Sequence, residues 1–529
     1  MKKLLNVILL LILLGLACGG TTEVGVTDVP AGTAPASTSP TAIPATIAPP
    51  TETQPPSPTA QPSSTAQPTL PPPTEPAIPP TVAGPTIPDA PLSVGGPWLV
   101  IVSNNGLYAV NPDGSGFSQL EQANISRSAT FSPDGRFLAY MVYTEHGFTG
   151  FTGLSLRLLD TADLSIVTVG PLTTAETEPT DLAQCPDQPN CNVTEAIGFD
   201  GSLAWSPDGN LLAFVAALGG PSSDLYLYHS NSGEITRLSS GPNQTGRLSW
   251  SPDGRFIIHE SMEWAGYYPD GLWAAAADGS TIVRLSDSGH YYEMVGWLDS
   301  ENFVFYEAEE AVPGFNLSKV NIISGVVTPL WQGFVGDPGI EVGAVNGYFV
   351  DVAMDPNNGA LVIEMDPYFV YEAGYYLLRP GATALEPIAL LPTEMDDPPH
   401  ILWSPFLGGF GLAWDQTWSL MESPSGALIS SSWPAATPFF ALPNPNQSWY
   451  VWKGAEGVWV VEQGRNLPWQ ISPNPSRLLS WAPAGQTLFL ALRDEGQTQL
   501  HLAHAPHFTL LPIAAPDLET IITTFWVEK

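Results

Sequence analysis

A β-propeller, all-β and built from four-stranded antiparallel blades, is predicted for most of this chain by three observations. A Trp/Phe-Ser-Pro-Asp-Gly signature returns along the sequence, as at 131–135, 205–209 and 250–254. An apolar run of strand length follows each copy. The 55 Pro and 49 Gly among 529 residues leave no room for long helices.

Composition excludes other classes. With 52 Asp+Glu against 16 Lys+Arg the net charge is −36, so there is no cationic surplus to displace counterions from nucleic acid. The 44% hydrophobic content and 17 Trp exclude a wholly disordered chain.

Residues 1–17, MKKLLNVILLLILLGLA, pair Lys2 and Lys3 with an apolar run from Leu4 to Leu14. The run is short of the roughly 20 apolar residues of a spanning helix and has the proportions of a signal peptide. Ala17-Cys18-Gly19 resembles the bacterial lipoprotein signal, with Gly15 standing where that family usually has Leu. The resemblance implies that Cys18 is lipidated and that the protein is exported and held on the extracytoplasmic side of the bacterial membrane. Ordinary secretory cleavage and an uncleaved anchor are the alternatives.

Residues 18–95 form the second segment. From Thr21 to Pro91 there are 20 Pro and 15 Thr and no Lys or Arg. So little apolar surface cannot offset the entropy of ordering, and a disordered, extended spacer is predicted. A ligand for proline-binding domains and an O-glycan carrier are the other readings.

The third segment, 96–529, carries the repeat. Clear copies precede RFLAY, NLLAF and RFIIH. Degenerate ones begin at Trp297, Asp355, Trp403 and Trp481, with a further weak copy in PNPNQSWYVW, at spacings of roughly 40–57 residues and one of 74. Pro sets φ for the turn, Asp bonds local backbone and Gly takes positive φ. Two further strands, such as SDLYLYHS and TRLSS, complete a four-stranded unit, and stacking such units makes a propeller. The run ETIITTFWVEK reads as a lone first strand, and residues 98–120 as the other three strands of one split blade. Eight blades are expected, within a range of seven to nine. The signature resembles the WD40-like (PD40) repeats of TolB-type propellers, which implies a scaffold that works by binding and carries no catalytic residues over.

Cys185 and Cys191 remain after Cys18, and an even remainder in an exported chain suggests a disulfide, with free thiols or metal ligands as the alternatives. No HExxH, GxSxG or GxxxxGK[ST] is present, and GGFG at 408–411 lacks the strand–helix setting of a dinucleotide site. His501, His504 and His507 are expected as surface histidines, because alternation on a strand turns His504 away from the other two.

In a propeller the second-to-third-strand loops and the loops between blades share one face, and here they are rich in acids and aromatics. The candidate binding face comprises Glu263, Trp264, Tyr267, Tyr268 and Asp270; His290, Tyr291, Tyr292 and Glu293; Glu307, Glu309 and Glu310; and Glu394, Asp396, Asp397 and His400. Solvated acids and packed aromatics are the plainer reading of the same residues. Exposed Trp and Tyr suit sugar rings or protein hot spots. The expected function is a non-catalytic binding module for an envelope or extracellular protein or a glycan, with no nucleic-acid partner and membrane contact through the N-terminal lipid. No cofactor is predicted; a divalent cation at the acidic face is the alternative. A carbohydrate- or lactone-cleaving propeller enzyme, with acids at the central tunnel, is the runner-up.

Overall fold

The computed structural model describes residues 89–527 except 186–187, 264–268, 287–289, 310–313, 335–348, 366–373, 391–401, 405–408, 415–416, 423–426, 433–441, 447, 455–456, 464–467, 495, 517 and 519. Cys18, the signal segment and nearly all of the spacer lie outside that range.

The described residues form nine four-stranded antiparallel sheets. Numbered in chain order of their first strands, these are blade 1 (Asn124–Phe131, Phe137–Tyr143, Ser155–Asp160, Ser165–Pro171), blade 2 (Leu203–Trp205 to Ile235–Arg237), blade 3 (Gln244–Trp250 to Ile282–Arg284) and blade 4 (His290–Trp297 to Val326–Phe334). Blades 5 to 8 begin at Phe349–Met354, Leu402–Ser404, Leu442–Pro443 and Ser476–Trp481. Blade 9 joins Ile521–Val527 to Trp98–Ser103, Gly106–Val110 and Ser118–Glu121, the split blade expected from the sequence. First strands touch from blade 1 to 2, 2 to 3, 4 to 5, 5 to 6 and 8 to 9, and that of blade 9 touches blade 1, so the last strand meets the first blade. Nine is one above the best guess of eight and within the expected range of seven to nine; the degenerate copies build blades too.

The core lies between adjacent sheets. One cluster joins blades 1 to 3 through Met141, Leu212, Phe214, Trp250 and Ile257, and another joins blades 7 and 8 through Trp449, Val460, Trp481 and Leu490. This is why second and third strands such as LLAFVA are apolar on both faces.

The turn between first and second strands follows from its signature. Ser206 Oγ donates to Asp208 Oδ1 at 2.6 Å, the Asn210 amide donates to the same oxygen at 3.1 Å, and the Leu211 amide donates to Ser206 Oγ at 2.9 Å. The copies at 132–137 and 251–256 repeat these bonds. Gly135 sits at φ +70°, and a Cβ there would meet the Phe525 ring at 2.7 Å, so both backbone and space require glycine. In blade 7 the turn is respelled: Asn444 and Asn446 stand for Ser and Asp, with the Trp449 amide donating to Asn444 Oδ1 and the Ser448 amide to Asn446 Oδ1. Blade 8 keeps only the backbone bonds, Ala482 N–H to Thr487 O and Gly485 N–H to Ala482 O, both 2.8 Å.

The repeat Trp stitches blades together. Trp205 Nε1 donates to Thr130 O at 3.2 Å, Trp250 Nε1 to Ala204 O at 2.9 Å, Trp297 Nε1 to Ser249 Oγ at 3.0 Å and Trp481 Nε1 to Leu442 O at 3.0 Å. In each case the acceptor lies one residue before the matching position of the preceding blade.

The turn aspartates make stability depend on pH in acid. The Ser132 and Ser206 hydroxyl bonds, with local amides, hold the Asp134 and Asp208 carboxyls below the ordinary value. A carboxyl with a depressed native pKa contributes fully above its unfolded pKa of about 3.9 and loses that contribution as pH falls through the native pKa. Asp208→Asn should therefore destabilise the protein at pH 6, and the gap from the parent should close as pH drops below about 4. Urea unfolding at pH 6, 4 and 3 measures it; a gap constant with pH would contradict the assignment.

Candidate binding face

Strand order fixes which loops share an end. Second-to-third-strand connections and blade-to-blade connections leave the sheets on the side away from the Ser-Pro-Asp-Gly turns. The strand ends at Met262 and Pro269, at His290, at Glu309 and Gly314, and at Leu390 and Leu402 lie at that end, as do Cys185 and Cys191.

The most developed described arrangement there centres on Arg247, which the sequence analysis did not single out. Its strand is irregular between Thr245 and Leu248, and the Leu248 amide donates to Gly201 O of the neighbouring blade at 3.0 Å. The bulge turns Arg247 between two blades. Its Nη1 lies 2.6 Å from Glu293 Oε2 on blade 4 and 3.6 Å from Glu260 Oε1 on blade 3. The second distance is an ion-pair contact too long for a hydrogen bond, and Glu260 Oε1 accepts none. The Phe199 ring centre lies 5.9 Å from the guanidinium carbon.

Burial pushes the Glu260 carboxyl up to about 7, with Arg247 pulling it down and Glu293 adding to the rise. His259 beside it is buried, and burial pushes its ring down to about 4, so it is neutral at pH 7. An unfolded Glu ionises near 4.3. Between about 4.3 and 7 the native state therefore holds a proton that the unfolded chain lacks, and this group's contribution falls as pH rises through that window. Glu260→Gln should remove the penalty. From pH 4 to pH 8, the stability difference should move in the variant's favour by on the order of 3 kcal/mol. Denaturant unfolding at both pH values checks it; a pH-independent difference would show that Glu260 titrates normally.

The structure sorts the sequence-predicted residues. Glu293 is in the Arg247 arrangement. Asp270 is a brace: its Oδ2 accepts from Ser261 Oγ at 3.1 Å and its Oδ1 lies 3.3 Å from Arg284 Nη2. Blade 2 repeats the device, with Asp224 Oδ2 2.5 Å from Arg237 Nη2. Beside each brace a serine Oγ accepts from a backbone amide, Ser239 from Leu225 at 2.8 Å and Ser286 from Leu272 at 2.7 Å. The Arg-Leu-Ser run shared by both fourth strands was the legible signal for this brace.

Tyr292 corrects the expectation of a binding aromatic. It is buried in the core shared by blades 3 and 4, its ring centre 6.0 Å from Phe305, because alternation turns it inward between Tyr291 and Glu293. Glu263 is exposed and Glu307 half-buried. His290 pairs with Glu309, and Tyr291 with Ala308, in the backbone register of blade 4; the side chains of His290, Tyr291 and Glu309 lie outside the description. Trp264, Tyr267, Tyr268, Glu310, Glu394, Asp396, Asp397 and His400 lie outside the described residues.

Elsewhere, His501 is buried in blade 8, against the expectation of a surface residue, and burial pushes its ring pKa down. His504 Nδ1 lies 2.9 Å from Thr487 Oγ1 and His507 is exposed. Among the described residues no group of three His, Cys, Asp or Glu could hold a metal ion.

The interval of 74 residues between repeat copies builds an elaboration at the same end. A short hairpin (Glu145–His146 with Phe151–Thr152) projects from blade 1. A helix, Pro189–Gly198, lies against it, a feature the sequence analysis did not anticipate. The Phe151 amide donates to Thr194 Oγ1 at 2.9 Å and the Gly150 amide to Glu195 Oε2 at 2.8 Å. Cys185 and Cys191 are disulfide-bonded, Cα atoms 5.8 Å apart, as expected.

Fold and face together define a β-propeller with one plain end and one elaborated end. No family model matches the chain. Among curated proteins it is similar to an uncharacterized protein of Agrobacterium fabrum, 31% identical over 86 residues, 16% of this chain and 28% of that one. It is also similar to an uncharacterized peptidase, YuxL, of Bacillus subtilis, 39% identical over 54 residues, 10% of this chain and 8% of that one. The chain thus spans less than a third of the length of either curated relative. Among solved structures it is similar to a eukaryotic initiation factor, with a TM-score of 0.50 and 14% identity over 81% of this chain and 98% of that one. That likeness is one of fold. Among the described residues no helix is long and apolar enough to cross a membrane.

Proposed function

We propose that this is an exported, lipid-anchored protein whose propeller binds a protein or glycan through its elaborated end, without catalysis. The observation that carries the reading is the asymmetry of the ring. At one end the turns of blades 1, 2 and 3 share one hydrogen-bond scheme that blade 7 respells with asparagines, whereas the other end holds the Arg247 arrangement and the stapled insertion. Rigid scaffolds place binding residues on their variable loops. Two of the carboxylates there are committed to arginines, Asp270 to Arg284 and Glu293 to Arg247, which suits these two to positioning. The Ser-Pro-Asp-Gly resemblance to TolB-type propellers supports the same reading, and the Lys2–Cys18 segment supports export and lipidation.

Two measurements test it. Fatty-acid labelling in a bacterial host should depend on Cys18, and Cys18→Ser should abolish both label and membrane retention; a label-free, membrane-bound parent would overturn the anchoring. On arrays of immobilised glycans and envelope proteins, Trp264→Ala with Tyr268→Ala should weaken capture at least tenfold while leaving the melting temperature in place. Unchanged capture, or turnover of a captured glycan, would overturn the binding reading.

A further inference from the structure

The stapled insertion offers the strongest unassigned surface. Phe148 stands at the tip of the blade 1 hairpin with 69% of its surface exposed. It borders an open cleft of about 570 Å³ whose other walls are Glu145, His146, Leu182 and Ala183. A single exposed aromatic on a flexible loop would mean little. This one is fixed from behind.

Gly150 sits against the Cys191 backbone, where a Cβ would approach within 3.0 Å of the Cys191 Cα. The His146 and Phe151 rings stack with centres 4.1 Å apart, and His146 Nε2 lies 3.7 Å from Glu195. The far wall is equally constrained. Asp181 accepts from the Ala183 amide at 2.9 Å, and the disulfide ties the turn Leu182–Gln184 to the helix. The hairpin therefore cannot easily fold Phe148 away, and the protein keeps a large apolar side chain in water on a braced platform. Pre-organised aromatics of this kind are what interfaces use as anchors, since little entropy is lost on docking.

Charge identifies the occupant. Glu145 lines the cleft, Asp181 caps the Leu182–Gln184 turn of its far wall, and no Lys or Arg is among the described lining residues. Both acids are exposed. An anionic rim repels nucleic acid, acidic glycans and anionic lipid surfaces, and attracts a cationic one. We infer that the cleft between the Phe148 hairpin and the disulfide-closed turn docks a segment of another protein that presents one large apolar side chain flanked by Lys or Arg.

The inference rests on the binding role proposed above and names a partner class for a separate part of the same end. The experiment uses the purified protein and fluorescent twelve-residue peptides, each with one Leu, Phe or Trp among three or four Lys or Arg, and matched peptides with Glu in place of the basic residues. Anisotropy titrations should show that basic peptides bind, acidic ones do not, and affinity falls as salt rises. Phe148→Ser should weaken binding at least tenfold, and Glu145→Gln with Asp181→Asn several-fold. Ile323→Ser, which removes another exposed apolar side chain, on blade 4, should change nothing. Basic peptides that bind Phe148→Ser as well as the parent would reduce the effect to general attraction by net charge and overturn the inference. Failure of every basic peptide to bind would overturn it too, as would equal binding of anionic phosphatidylglycerol vesicles. These outcomes do not depend on Trp264 or Tyr268, so either reading can fail alone.

Discussion

Removing residues 519–529 should abolish cooperative folding of the ring. Ile521–Val527 supplies the inner strand of blade 9, pairing in register from Trp98↔Val527 to Val102↔Thr523. It also fills both seams beside it. Phe525 stacks on Phe131 of blade 1 at 4.1 Å, and Trp526 joins the cluster shared with blade 8. Without it, blades 1, 8 and 9 would each expose an apolar face and blade 9 an unpaired edge. Loss of one strand therefore reaches three sheets, and the cost is comparable to the about 5–15 kcal/mol that holds a typical domain together. The truncated protein should lose its thermal transition, bind a hydrophobic dye and be cut rapidly by protease. A companion variant separates topology from simple loss of residues. Because Val527 lies opposite Trp98, residues 519–527 joined by a two-residue turn to Trp98 would form a hairpin in the same sheet. That permuted chain should regain a transition near the parent's. A truncation that melts like the parent would show that the ring does not need its ninth inner strand.

Trp205→Ala should cost roughly 3–5 kcal/mol, the range for emptying a large buried aromatic site. Trp205 is buried in the cluster joining blades 1 to 3, its ring stacked at 6.1 Å from Phe137, and its indole N–H meets Thr130 O across the blade boundary. Trp205→Phe separates the two contributions. It keeps most of the apolar contact but leaves the Thr130 carbonyl without its donor, for about 1–2 kcal/mol. Urea unfolding of the two variants should rank them in that order. Equal losses would assign the whole effect to the hydrogen bond, and losses below about 1 kcal/mol for Ala would mean the boundary repacks.

What the sequence made legible follows from which interactions are spelled by side chains. The turns at 132–135, 206–209 and 251–254 are readable because Ser and Asp side chains make the bonds. Blade 8 satisfies the same turn with backbone bonds from Ala482 and Gly485, so the letters fade while the geometry stays. Nine blades, the top of the expected range of seven to nine, formed all the same. The candidate face was legible by topology but not by residue. Strand order puts the chosen loops at one end, whereas which way Tyr292 points depends on register, and register turned it into the core. Arg247 was invisible because a lone arginine at a bulge has no period. The helix Pro189–Gly198 was missed because ten residues that begin inside the cysteine loop carry too short a pattern to stand out in an all-β chain.

The closing blade has a mechanical consequence. In every other blade the first and second strands are joined covalently by a turn; in blade 9 the two strand ends, Val527 and Trp98, stand side by side with no link between them. Tension applied between these two points would not be shared along the strand pair. It would part Trp98 from Val527 first and then each following pair in turn, as a zip opens, at low force and from one place. A pulling trace between residues 97 and 527 should therefore begin with a small early extension at the seam, absent when the two points are joined by a turn. The same adjacency that lets the ring close without a lock makes it a ring with a single, addressable point of release.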